Sequence, residues 1–171
     1  MMRSIFYGTL ILGIFLSSGH AITEKDVLGT KPDPVPNLVE YLEKDGNFKI
    51  LSAAIKATDF EETLKGTNSF TILAPTDDAF RKLPDSYLQL LLAPAGKQKL
   101  AGLLGLHIIS GSVTVSQLFV NNKVKTFQGQ EIPLEIMAGN YMFDQSKLIQ
   151  ANIHCSNGLV DVLDRVLMPF P

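Results

Sequence analysis

Apolar and polar positions follow a strand-then-helix pattern between residues 70 and 83, FTILAPTDDAFRKL. The opening run is apolar apart from one threonine and too short for an independent helix, so it predicts a buried strand. Pro75 ends the strand because proline cannot donate a hydrogen bond to a neighbouring strand. Thr76 then predicts a helix N-cap, with Asp77 and Asp78 in the first turn, where negative charge is favourable. The stretch therefore predicts a strand, a sharp corner and a helix that packs back on the strand.

Before this strand, apolar positions recur at helical spacing and predict three helices. Asn37 is placed to cap the first helix, and Gly46 to end it in the left-handed conformation that glycine tolerates. The second helix is expected over residues 48–57. Asp59 and Glu62 have the spacing of a capping box, which predicts a third, short helix.

After the strand, the same reasoning predicts three more helical segments, over residues 87–92, 97–107 and 115–119. The middle segment carries leucines and His107 on one side, at the spacing of a buried helix face. Thr114 and Gln117 have capping-box spacing and are expected to start the last segment.

The C-terminal third has the alternation and turn residues of strands rather than helices. Gly139 and Asn140 are expected at a hairpin corner. The predicted strands are 123–126, 131–137, 141–143, 147–153 and 159–168. Helices come first and strands last, with one strand among the helices, which favours an α+β fold with a mainly antiparallel sheet.

The N-terminus has the pattern of a secretory signal peptide: a short basic start, a twelve-residue apolar stretch and small residues up to Ala21. A membrane anchor is the alternative, but a span needs about 20 apolar residues. We therefore predict a signal peptide over 1–21, an extended proline-bearing linker over 22–36 and a folded domain over 37–169. The mature chain is expected outside the cell, or in the periplasm of a bacterium, without a membrane span.

Composition narrows the classes of partner. The formal net charge is −2 and no basic stripe is present, so nucleic acid is not an expected partner. The single Cys155 excludes an internal disulfide, so the core must hold the fold. Cys155 itself is expected to be either a buried inert thiol or an exposed thiol that forms an intermolecular disulfide.

Two segments carry a family resemblance. Residues 74–80, APTDDAF, and 156–169, SNGLVDVLDRVLMP, resemble the two signature segments of the fasciclin-like (FAS1, beta-Ig-h3) domain family. Between them, Leu106 and His107 stand where the family usually has a Tyr-His pair. The resemblance covers 37–169 in order, and implies a wedge of mainly antiparallel β-strands flanked by several α-helices.

The resemblance also implies binding residues. The family's Tyr-His pair is implicated in integrin contact, which makes Leu106 and His107 candidates, although leucine replaces the tyrosine. Asn152 and Ile153 align with an Asp-Ile pair of adhesive members, and the amide lacks the charge with which an aspartate completes an integrin's metal site. The alternative for His107, from its spacing alone, is a neutral imidazole hydrogen-bonded in the core.

Other polar residues are expected to be structural. Asn157 and Gly158 are expected in a turn because both tolerate positive φ. Asp77 and Asp78 are better explained by helix capping than by calcium, which needs more clustered oxygen ligands. No cofactor or metal site is therefore expected.

The resemblance implies a secreted adhesion or matrix-type module that contacts cell-surface proteins, including integrin-like ones, or polysaccharides. The alternative is an extracellular binder of a polysaccharide or small ligand, in a cell envelope or biofilm. An enzyme is the third reading and is not expected. The chain lacks the Gly-x-Ser-x-Gly, His-Glu-x-x-His and phosphate-loop motifs. His154 and Cys155 are adjacent, and adjacent residues on a strand point to opposite faces, so their side chains would not meet.

Overall fold

The computed structural model describes residues 34–169 of the chain. Within this range the helices are α1 (Leu38–Lys44), α2 (Lys49–Ala57), α3 (Phe60–Lys65), α4 (Asp77–Arg81), α5 (Asp85–Leu92), α6 (Lys97–Leu106) and α7 (Val115–Leu118), with short 3₁₀ turns at Pro94–Gly96 and Phe119–Asn121. The predicted signal peptide and most of the predicted linker lie outside the described residues.

The strands are β1 (Phe70–Pro75), β2 (Ile108–Ser110), β3 (Lys123–Lys125), β4 (Glu131–Met137), β5 (Asn140–Phe143), β6 (Ser146–Cys155) and β7 (Gly158–Leu163). They form one seven-stranded sheet in the order β2-β1-β7-β6-β5-β4-β3. Neighbouring strands are antiparallel except β1 and β7, which run parallel from Phe70 opposite Gly158 to Pro75 opposite Leu163. The predicted α+β fold with a mainly antiparallel sheet is confirmed.

Alternate residues of the central strands divide the core into two clusters on opposite sides of the sheet. Ile72, Val160 and Val162 pack with the helices α1, α2 and α6. Leu73 and Leu163 pack on the other side with the β3–β5 region, where Phe143 is fully buried. This two-sided burial explains why β1 and β7 read as continuous apolar runs, with every residue of both strands buried.

Strand β2 was not predicted, because three residues are too few to show an alternating pattern. It follows α6 directly and pairs with β1, with Ile72 opposite Ile108. The last strand was predicted to run to residue 168, but it ends at Leu163. The β4–β5 corner is Ala138-Gly139 rather than Gly139-Asn140, since Asn140 already pairs with Met137.

Several helix ends are corrected. The capping box of α1 is present, with Asn37 and Glu40 bonded to each other's backbone N–H groups. Gly46, however, does not adopt a positive φ, and the residue that follows α1, Asp45, has an extended conformation. The expected box at Asp59 is absent, because the Asp59 side chain makes no capping hydrogen bond.

Thr76 caps α4 as predicted: its hydroxyl accepts from the Ala79 N–H at 3.2 Å. Asp77 lies in the first turn of α4, as predicted, and also bonds to a residue outside that helix. Its Oδ1 accepts from the Ile50 N–H at 2.8 Å, and its own N–H donates to the Asn47 carbonyl at 2.8 Å. Asp77 therefore caps the first turn of α2, which has no side-chain cap of its own. The strand-to-helix corner is thus tied to the neighbouring helix.

Asn157 was expected to favour the β6–β7 turn through positive φ, but its backbone is not in that region. Its side chain instead accepts from the Leu38 N–H at 2.9 Å and donates to the Leu64 carbonyl at 2.6 Å. The start of α1 and the end of α3 are therefore both fastened to this turn. The next residue, Gly158, lies so close to β1 that an added Cβ would stand 1.9 Å from the Phe70 carbonyl oxygen.

Candidate binding site

Leu106 and His107 lie at the end of α6, immediately before β2, and both are buried. The His107 ring uses both nitrogens: Nδ1 is 2.8 Å from the Leu103 carbonyl, and Nε2 accepts from the Leu167 N–H at 3.0 Å. This arrangement requires the neutral tautomer with the proton on Nδ1. Burial lowers the pKa of His107 to about 4, against the hydrogen bond to Leu103, which raises it.

His107 thus joins α6 to the segment that follows β7, as the alternative based on its spacing predicted. Neither side chain of the Leu106-His107 pair reaches the surface in this conformation. A role in partner contact stays a prediction, and it would require this part of the fold to open.

Asn152 and Ile153 lie in an irregular stretch of β6. The pairing of β6 with β7 shifts between Gln150 and Ile153, which is typical of a β-bulge, and Asn152 has φ of 54°. Its side-chain oxygen accepts from the Val115 N–H at 2.9 Å, at the start of α7. Ile153 packs partly buried against the helix-side core. The Asn152 side chain is therefore already hydrogen-bonded to the start of α7. Partner binding by Asn152 and Ile153 also stays a prediction.

Asp161 of β7 is fully buried and faces the bulge. Its Oδ1 accepts from the Asn152 N–H at 2.7 Å, whereas its Oδ2 has no hydrogen-bond partner among the described residues. Burial raises the pKa of Asp161 to about 6, and the Asn152 bond only partly opposes that rise. No function was predicted for Asp161, because an aspartate within an apolar run does not reveal the bulge opposite it.

The two predicted pairs share one row of the sheet without meeting. His107 is beside Leu73, whose N–H donates to the His107 carbonyl at 2.8 Å. Leu73 is opposite Asp161, and Asp161 contacts Asn152. At roughly 4.8 Å per strand spacing, about 14 Å separate the two pairs. Leu106-His107 and Asn152-Ile153 therefore do not form a single pocket.

A groove of about 540 Å³ opens at the carboxyl ends of the parallel strands β1 and β7. Both signature segments contribute to it: Thr76, Asp77 and Asp78 follow β1, and Asp164 follows β7. The carboxyl ends of parallel strands are a common position for ligand sites. The sequence did not reveal the groove, because only the parallel pairing of β1 with β7 brings these two chain ends together.

The charges that line the groove are balanced and mostly paired. Arg81 pairs with Asp78, and Lys82 donates to both the Asp164 carbonyl at 2.8 Å and its carboxylate at 3.4 Å. Lys49 is exposed on the opposite wall and has no ion-pair partner within 4.0 Å among residues 34–169. Together with the Asn47 amide, this lining can exchange hydrogen bonds with a polar partner.

Ile149 of β6 is the apolar element of this lining. It belongs to the groove and is 57% exposed. An exposed isoleucine beside charged groups offers a small apolar platform within a polar site.

Cys155 is partly buried at the end of β6 and packs against the helix-side core. Burial raises the pKa of its thiol to about 11. Since the thiolate is the reactive form, Cys155 has the environment of a structural thiol.

Residues 34–169 contain no group of three His, Cys, Asp or Glu side chains arranged to hold a metal ion. Over the same range, no helix has the length and apolar character to cross a bilayer.

Comparison with known proteins places the fold and the motifs in one family. Residues 46–169 match the Fasciclin domain family. Protein sll1483 of Synechocystis sp. is 32% identical over 149 residues, covering 86% of this chain and 82% of that protein. Human periostin is 28% identical over 136 residues, or 78% of this chain, but this covers only 16% of periostin.

The cell surface glycolipoprotein MPB83 of Mycobacterium bovis is 31% identical over 108 residues, covering 63% of this chain and 47% of that protein. Among solved structures, a FAS1 domain pair from the insect cell adhesion molecule Fasciclin I aligns with a TM-score of 0.71 at 21% identity, over 80% of this chain and 52% of that one. That likeness concerns the fold. With the match over 46–169, it shows that the chain belongs to the fasciclin domain family.

Proposed function

We propose that this protein is an extracellular adhesion or matrix-type module that binds its partner at the groove beyond β1 and β7. The observation that carries the proposal is that both signature segments contribute residues to this one groove. Relatives named for the cell surface support an extracellular setting, as does the predicted signal peptide. The partner is a protein or a glycan, bound by surface contact rather than enclosed.

The polar lining favours hydrogen bonding over burial of a large apolar ligand. Lys49 has no ion-pair partner among the described residues, and the paired charges of Arg81 and Lys82 belong to the same lining. A polysaccharide is the specific alternative to a protein partner, because sugar hydroxyls can both donate to the carboxylates and accept from the cations, while Ile149 supports an apolar sugar face. The extracellular polysaccharide binder therefore remains the second candidate.

The test compares groove variants in two assays. The mature chain is applied to cell-derived matrix and to a glycan array, as wild type and as the double variant Lys49→Ala/Arg81→Ala. Both side chains are exposed, so the double variant is expected to fold normally. Lys44→Ala, an exposed lysine of α1 outside the groove, is the matched control.

We expect retention on the matrix, or on particular glycans, that falls about tenfold in the double variant and is unchanged in the control. A tenfold loss corresponds to about 1.4 kcal/mol, close to the value of one hydrogen bond to a charged group. Equal retention of the wild type and the double variant would show that the partner does not bind at the groove. Binding to glycans but not to the matrix would favour a polysaccharide over a protein as the partner.

A further inference from the structure

Strand β4 extends beyond the partner that covers its outer edge. Strand β3 pairs with β4 only from Lys125 opposite Glu131 to Lys123 opposite Pro133. The chain before β3 then turns away at Asn122, whose carbonyl accepts from the Leu134 N–H at 2.8 Å. On its other side, β4 stays paired with β5 as far as Met137 opposite Asn140. The last three residues of β4 therefore have a paired inner edge and no strand along their outer edge.

The backbone groups that face this open edge can be assigned. The Leu134 N–H points toward β3, because it bonds to Asn122. Residues two apart on a strand present their N–H and C=O groups to the same side. The N–H and C=O of Ile136 therefore point outward, where the described chain provides no adjacent strand. Such groups are a template for an added strand.

Strand β4 repeats one pattern along its length. Its sequence is EIPLEIM, so Glu131-Ile132 recurs four residues later as Glu135-Ile136. The first copy is covered by β3, whose sequence is Lys-Val-Lys, and Lys123 bonds the Glu131 carboxylate at 2.7 Å. The second copy is open: Ile136 is 65% exposed, and Glu135 has no ion-pair partner within 4.0 Å among the described residues.

We propose that the open edge at Glu135–Met137 binds an extended peptide segment of a partner protein with alternating cationic and apolar residues, as β3 does on the first copy. The apolar residue of the partner strand lies beside Ile136, on the face that also carries Tyr141. Its cationic neighbours lie on the other face, beside Glu135. The charge of the partner follows from this carboxylate, and its extended form follows from the outward backbone groups of Ile136.

A second copy of this chain is the competing occupant. Two β4 edges could pair about Ile136, but a shared edge of three residues is far smaller than the roughly 1,200 Å² that stable interfaces bury. The β4–β4 pairing would also leave Glu135 opposite a methionine rather than a cation. The small area argues against a stable dimer, and the charge of Glu135 favours the cationic peptide. This edge is separate from the groove beyond β1 and β7, so the two binding proposals can be tested, and rejected, independently.

The probe is a synthetic peptide with the core Lys-Val-Lys-Val-Lys, and the reference peptide has the core Glu-Val-Glu-Val-Glu. Each is titrated into ¹⁵N-labelled mature chain, and the amide resonances are followed. Ile136→Pro removes the outward N–H while leaving the β5 hydrogen bonds in place. Glu135→Lys reverses the charge, and Glu62→Lys, an exposed glutamate of α3, is its matched control.

With the lysine peptide, we expect amide chemical-shift changes centred on residues 134–137 of the wild type and none of comparable size in Ile136→Pro. We expect the lysine peptide to bind about fivefold more weakly to Glu135→Lys and with unchanged affinity to Glu62→Lys. Unchanged amide resonances in β1, four positions from β4 in the sheet, show that a variant keeps its fold. The proposal is overturned if no shifts appear up to about 5 mM peptide, if both peptides bind equally, or if Ile136→Pro responds like wild type. A dimer by sedimentation whose interface is this edge would also overturn it.

Discussion

Two buried residues contribute in opposite directions to the pH dependence of this protein's stability. His107 and Asp161 are both buried, and their pKa values are displaced in opposite directions: to about 4 for His107 and to about 6 for Asp161. The unfolded chain takes up the His107 proton near pH 6.5, before the folded chain does, so stability falls between about pH 6.5 and 4. The folded chain takes up the Asp161 proton first, so stability rises as the pH falls from about 6 to 4. The two contributions, about 3 kcal/mol each, nearly cancel.

Asp161→Asn removes one of these opposing contributions. The free energy of unfolding of this variant is expected to fall by up to about 3 kcal/mol more than that of the wild type between pH 7 and pH 4. Urea unfolding of both proteins at several pH values measures this difference, and the other acidic groups cancel in the comparison. Parallel profiles for the two proteins would show that Asp161 is ionised normally in the folded state.

Asn157 is expected to stabilise three elements through its side chain. Asn157→Ala leaves the Leu38 N–H and the Leu64 carbonyl without their partner, which should cost about 2 kcal/mol. Thermal or urea unfolding measures the loss, with the exposed Asn121→Ala as the control. A loss no larger than that of the control would mean that water replaces both hydrogen bonds.

Some helices and strands were predicted closely from the sequence, and others were not. Helices with a strong apolar face and local caps, such as the one capped by Asn37, were predicted closely because their signals lie within one turn. The caps supplied from a distance were missed: Asp77 caps α2, 27 residues earlier in the chain. Likewise, nothing near residue 158 indicates that β7 runs parallel to β1, since that pairing depends on residues far apart in sequence.

The close approach of β7 to β1 gives a prediction at this scale. Gly158→Ala places a Cβ 1.9 Å from the Phe70 carbonyl oxygen, so the start of the β1–β7 pair must separate. We expect a destabilisation of about 3 kcal/mol or more. Gly46→Ala is the control, because its Cβ meets nothing within 4 Å and its φ is not positive. Equal unfolding midpoints for the two variants would contradict the parallel register.

At the scale of the whole molecule, we expect no disulfide-linked dimers through Cys155. Its thiol is partly buried and its pKa is raised to about 11, so little thiolate forms at neutral pH. A non-reducing gel of protein stored in air should show the monomer, and Cys155→Ser should migrate identically. A dimer band that disappears in Cys155→Ser would contradict this expectation.

The fold could be foreseen as a whole, whereas its functional surfaces could not. The two signature segments were enough to predict helices around a mainly antiparallel sheet. The candidate residues transferred from the family, Leu106 and His107, are buried. Helical spacing predicted this for His107, whereas a motif position by itself does not report exposure. The groove and the open β4 edge depend on which strands are neighbours, and that information is absent from local patterns.

The central claim is that a partner covers the groove at the carboxyl ends of β1 and β7. Hydrogen exchange of the mature chain, free and bound to the matrix or glycan that retains it, tests this claim most directly. We expect slower exchange in peptides covering residues 45–50 and 76–82, with exchange in α5 and α6 unchanged. Protection confined to other surfaces, with these two segments exchanging as in the free protein, would contradict it.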